Sequence, residues 1–123
     1  MRLPACSAPT LVILATLAAA PAGAHAFLDH ADPAVGGSVP AAPHVVRLVF
    51  TESVEPKFSK IGLTGPDGQP VAAGPVTVAS GDSSELDLPL TGALAPGLYK
   101  VSWRVVSTDT HQTEGAFTFE VRP

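Results

Sequence analysis

From Gly97 to Val106 the chain alternates without a break. Tyr99, Val101, Trp103 and Val105 fall on one side, and Lys100, Ser102 and Arg104 fall on the other. A period of two belongs to a half-buried strand; wound at 3.6 residues per turn, the same residues would scatter around a helix. Residues 115–121 repeat the pattern with Phe117, Phe119 and Val121 inward, and residues 45–51 do so with Val46, Leu48 and Phe50. Shorter apolar runs at residues 26–31, 58–63, 76–79 and 85–90 complete a set of seven. Asp32-Pro33, Gly65-Pro66-Asp67-Gly68 and Pro89 punctuate them. Short strands at roughly ten-residue spacing predict an all-β, immunoglobulin-like or cupredoxin-like Greek-key sandwich, with Trp103 and Phe119 inside. No helix longer than one turn is expected after residue 24, and no repeat or linker divides the chain.

The first 24 residues have a different character. Met1-Arg2 is a short positive start, residues 11–20 (LVILATLAAA) are apolar, and Pro21-Ala22-Gly23-Ala24 ends in small residues. This is the pattern of a secretory signal. Ten helical residues reach about 15 Å, half the roughly 30 Å bilayer core. The expected division is a cleaved signal at residues 1–24 and one domain at residues 25–123, exported through the inner membrane to the periplasm. Ala24-His25-Ala26 offers a second A-x-A site, and cleavage there would discard His25.

Removal of that segment takes Met1 and Cys6 with it, and residues 25–123 contain neither cysteine nor methionine. Such a domain has no disulfide, no thiolate site, no blue-copper centre and no thioether for Cu(I), so a metal must be held by nitrogen and oxygen. Arg2 leaves too. The product is one unit more negative than the −4 of the whole chain, which argues against nucleic acid as a partner.

Cleavage after Ala24 would make His25 the amino terminus. Its α-amine and imidazole Nδ1 could then chelate one ion, and an α-amine with an ordinary pKa of about 8 loses its proton to a metal near neutral pH. Asp109-Thr110-His111 lies between the two strongest strands, and on extended backbone its carboxylate and imidazole project the same way. Surface loops often contain such residues, and neither feature is specific alone. Together they supply three nitrogens and an oxygen, a set suited to tetragonal Cu(II) and acceptable to Zn(II) or Ni(II). Glu52, at a strand end, could ligate the ion or orient a ligand by a hydrogen bond. His30 and His44 have no partner at metal spacing. Ser107 reads as a loop hydrogen-bonder, since no nucleophile elbow accompanies it, and no catalytic residue is assigned.

Three stretches carry a family resemblance. They are His25-Ala26-Phe27-Leu28; Phe50-Thr51-Glu52-x-Val54-Glu55-Pro56-Lys57-Phe58-Ser59; and the run from Gly97 to Val121 containing W-R-x-x-S-x-D-x-H-x-x-x-G-x-x-x-F. They cover essentially all of residues 25–123 and resemble the CopC family of periplasmic copper-resistance proteins. The resemblance implies a seven-stranded Greek-key barrel holding one Cu(II) through His25, Asp109 and His111, with Glu52 at the family's F-x-E position. Thr110 stands where many members have glycine, and the methionine-rich Cu(I) loop of many members has no counterpart, so the chain resembles a Cu(II)-only variant. The resemblance further implies a monomeric copper carrier or buffer in resistance or uptake, beside an inner-membrane copper transporter of the CopD type. Two other classes stay open: a copper-dependent oxidative enzyme of the polysaccharide monooxygenase kind, which also uses an amino-terminal histidine, and a metal-free interaction module.

Overall fold

Trp103 and Phe50 meet edge to face, with ring centroids 5.3 Å apart, and this contact joins the two layers of the molecule. The structure is a computed structural model that describes residue 4, residues 25–78 and residues 81–123; apart from Pro4, the expected signal segment lies outside the described residues. Eight strands follow one another: β1 (Leu28–Asp32), β2 (Ser38–Val39), β3 (Val45–Phe50), β4 (Lys60–Thr64), β5 (Thr77–Val78), β6 (Glu85–Pro89), β7 (Gly97–Val106) and β8 (Gln112–Val121). They form two four-stranded sheets, ordered β1-β3-β6-β5 and β2-β8-β7-β4. The expected all-β sandwich is what the chain adopts.

The alternation read from the sequence fills the space between the sheets. Tyr99, Val101, Trp103 and Val105 of β7 are buried with Phe117, Phe119 and Val121 of β8, against Val46, Leu48 and Phe50 of β3 and Leu86 and Leu88 of β6. Each such side chain contributes about 1.5–3 kcal/mol of burial free energy. Tyr99 stacks on Phe119 at 5.5 Å and spends its hydroxyl on the Ala95 carbonyl at 2.6 Å.

Several boundaries moved, each for a local reason. The strand expected at residues 58–63 begins only at Lys60, because Pro56 opens a one-turn 3₁₀ helix at Pro56–Phe58, where its missing N–H is harmless. The first strand starts at Leu28, because Ala26 and Phe27 before it bond to the Thr113 hydroxyl and to Thr51 instead of extending a ladder. β8 starts three residues early, at Gln112, since pairing with β7 continues to Val106↔Gln112. β2 was not anticipated. Its two residues pair in parallel with Glu120 and Val121, and a pair is too short to show a period. Ala79 of the expected strand at residues 76–79 lies outside the described residues.

Gly115 faces Trp103 across the β7–β8 ladder, and a Cβ there would sit 2.6 Å from Trp103 Cζ2 and 2.9 Å from Cε2. Indole and backbone can approach so closely only because position 115 has no side chain. Gly115→Ala should therefore destabilise the domain by about 1–3 kcal/mol, the usual cost of overpacking. Thermal unfolding followed by circular dichroism is the check, and an unchanged Tm would show that the indole has room to move.

Candidate metal centre

Two separate pieces of chain converge at one end of the sandwich, where β3 ends and the β7–β8 hairpin turns. One is the segment ahead of β1. Ala26 is fully buried, and its carbonyl accepts a hydrogen bond of 2.6 Å from the Thr113 hydroxyl, 87 residues away in sequence. Phe27 N donates to Thr51 Oγ1 at 3.0 Å, and Thr51 N donates to the Phe27 carbonyl at 2.8 Å. His25 is thus carried on a tethered stub.

The other piece is the loop at residues 107–111. Ser107 is 1% exposed and bridges to Val54. Its N–H donates to the His111 carbonyl at 2.8 Å, and its own carbonyl accepts from Thr110 N at 2.8 Å. Its hydroxyl donates to Asp109 Oδ1. Asp109 Oδ2 lies 3.1 Å from His111 Nδ1. The Ser107 hydroxyl, outweighing the desolvation that pushes the other way, holds the Asp109 carboxyl below the ordinary carboxylate range, with His111 adding to the effect. An imidazole that donates from Nδ1 to a carboxylate keeps Nε2 as its lone-pair nitrogen.

Asp109 and His111 do meet, but not on extended backbone as the spacing suggested. Thr110 between them has φ +74°, so a tight turn brings the two side chains together. A β-branched residue in the left-handed region is strained. Thr110→Gly should raise stability by up to about 1 kcal/mol, in line with the cost of such backbone strain, and leave the loop's ligating groups in place. A lower Tm in this variant would mean that the Thr110 hydroxyl, bonded to the Asp109 carbonyl, outweighs the strain.

The two pieces bring the rings of His25 and His111 to 4.5 Å, edge to face, with Phe27 at 6.1 Å from His25 on another side. Side chains of His25, Asp109 and His111 therefore form a chain of neighbours. Among the described residues, however, no three His, Cys, Asp or Glu side chains stand as a ready-made metal cage. Glu52 is exposed. His30 is exposed on β1 and pairs with Asp29 at 2.7 Å. His44 is exposed just before β3, at the end of that strand away from Phe50. Thr51 and Thr113, which tether His25, were not singled out from the sequence: a threonine in or beside a strand gives no signal of a partner so far along the chain.

With this geometry in view, comparison with known proteins is decisive. The CopC domain model matches residues 28–122. The chain belongs to the CopC family. It is 42% identical to Protein YobA of Escherichia coli K12 over 113 residues, spanning 91% of each chain. It is 36% identical to Copper resistance protein C of Pseudomonas syringae pv. tomato over 118 residues, 92% of this chain and 93% of that one. Among solved structures it is similar to CopC from Methylosinus trichosporium OB3b, with a TM-score of 0.74 and 37% identity, covering 80% of this chain and 95% of that one. The CopC domain match contains the whole 107–111 loop and begins three residues after His25.

Proposed function

We propose that this CopC-family protein is a Cu(II) carrier or buffer of the periplasm. In this reading one ion per chain is held by the amine and imidazole of His25, the imidazole of His111 and the carboxylate of Asp109. The observation that carries the reading is the approach of the His25 and His111 rings to 4.5 Å, held by the tethers at Ala26 and Phe27. The side chains alone do not make a cage. The missing nitrogen is the α-amine, which exists only after cleavage behind Ala24. Burial of Ala26 supports that site over cleavage behind Ala26, which would remove a core residue and the acceptor for Thr113.

Each group has a distinct task. The amine and the His25 ring chelate the ion from one side. His111 offers Nε2, the nitrogen left with its lone pair while Nδ1 faces Asp109 in the metal-free chain. Asp109 Oδ1 stays with Ser107, so Oδ2 is the oxygen that turns from His111 to the ion. Glu52, exposed at the same end, would steady a ligand only once the ion has drawn the groups together. Copper is cargo here: nitrogen and carboxylate ligands favour Cu(II), and no thioether follows residue 24 to favour Cu(I). Release to an inner-membrane transporter of the CopD type, from a monomer, completes the proposed role. An oxidative enzyme fits less well, because Tyr99 and Trp103, the aromatic side chains a substrate would stack on, are buried.

The test is the intact mass of the exported protein, measured natively with and without Cu(II). The expected species begins at His25 and gains one copper. A species beginning at Phe27, or one that takes up no copper, would sink the proposal.

A further inference from the structure

The outward face of the β2-β8-β7-β4 sheet differs in charge from the rest of this acidic protein. Arg47 is paired with Asp87 on the opposite sheet at 2.8 Å, and Arg122 with Glu120 at 3.0 Å. The other four basic residues after residue 24 gather elsewhere. Lys60 points outward from β4, Lys100 and Arg104 point outward from β7, and Lys57 lies in the turn leading into β4. Among the described residues none of the four is in an ion pair. Lys60, Arg104 and Glu114 stand side by side in register across three strands. Beside them Gly62, Ser102 and Ala116 form the floor of an open trough of about 640 Å³. Leu98, the exposed aliphatic residue of this face, lies at the far end of β7.

We propose that this trough docks an acidic, extended segment of a partner protein. Arg104 and Lys100 are four residues apart on one strand, about 13 Å at the usual strand rise, so carboxylates at positions i and i+4 of an extended segment meet both. The small floor lets a peptide backbone come close. A flat anionic bilayer would touch only the rim of a concave surface. Without a protruding apolar anchor in the trough, the complex forms by charge steering, binds weakly and dissolves in salt. The Lys60–Arg104–Glu114 row lies two residues from the start of β8, beside the 107–111 loop. That position would bring an acidic acceptor next to the cargo, a consequence that rests on the copper reading, whereas the docking itself does not.

The experiment uses metal-stripped protein, so failure of the copper reading cannot affect it. The probes are two synthetic decapeptides of glycine and serine carrying two glutamates, either four residues apart or adjacent, titrated at low ionic strength and followed by amide chemical shifts. The spaced peptide should bind at least about threefold more tightly, one favourable exposed charge pair, and move resonances on the outer face of β4, β7 and β8. Lys100→Glu with Arg104→Glu should weaken it about tenfold or more, two pairs turned repulsive. Glu114→Gln should tighten it, and Arg122→Glu should leave it unchanged. All of these sites are exposed, and circular dichroism verifies that each variant folds. Equal binding of both peptides, shifts away from this face, an unaffected double variant, or stronger binding to vesicles of phosphatidylglycerol and phosphatidylcholine would each overturn the proposal.

Discussion

Adding a single alanine ahead of His25 should lower Cu(II) affinity by about three orders of magnitude or more, the equivalent of about 4 kcal/mol. The reason is covalent rather than steric. Joined to a preceding residue, the His25 nitrogen is an amide, a poor neutral donor, and the amine–imidazole chelate is lost. The fold should not notice, because Ala26, Thr51 and Thr113 make their contacts downstream of that nitrogen. The pH dependence separates this cause from others. An α-amine titrates near about 8, so below about pH 8 copper must displace one more proton from the processed chain than from the extended one. Affinity of the processed protein should therefore fall more steeply with falling pH than that of the extended protein, by up to about a further tenfold per pH unit. Competitive titration against a chelator of known strength measures both quantities. Equal affinities would leave only a weaker His–Asp site.

His111→Ala should weaken binding by about two to three orders of magnitude, since even a group that only orients a ligand is worth about 10- to 100-fold. Asp109→Ala should cost nearly as much, because it removes an oxygen ligand and, in the metal-free chain, the partner of the His111 ring. Asp109→Asn distinguishes these tasks: it keeps a partner for the ring and loses the charge. His44→Ala should change nothing, lying at the other end of β3. His111→Ala and His44→Ala touch no core side chain, so their unfolding curves should superimpose within about 0.5 kcal/mol, whereas Asp109→Ala takes an acceptor from the buried Ser107 hydroxyl and should cost about 1 kcal/mol. If His44→Ala matched His111→Ala, the ligands would have been misassigned.

The strands that could be read from the sequence are those whose own residues specify them. β7 shows buried and exposed positions in strict turn, and so does most of β8, because one face meets a core and the other water. β5 falls within the strand expected at residues 76–79, but β2 holds two residues, and its parallel pairing with β8 depends on a neighbour that no local pattern reveals. The late start of β4 behind the 3₁₀ turn was equally hidden, although Pro56 was in plain view: proline forbids some structures without saying which permitted one follows.

The candidate site divides in the same way. The sequence alone determined a β-sandwich, a nitrogen-and-oxygen donor set after residue 24, and an Asp-Thr-His loop between the two longest strands. These follow from periodicity, from the absence of sulfur and from adjacency along the chain. Only the tertiary structure decided that a turn at Thr110 rather than extended backbone joins Asp109 to His111. It also decided that Ser107 orders that carboxylate from within the core, and that His25 lies against His111. That last contact depends on buried Ala26 and on the hydroxyls of Thr51 and Thr113. Such hydrogen bonds join residues far apart in the chain, and they form only when packing of the two sheets has already brought their backbones together.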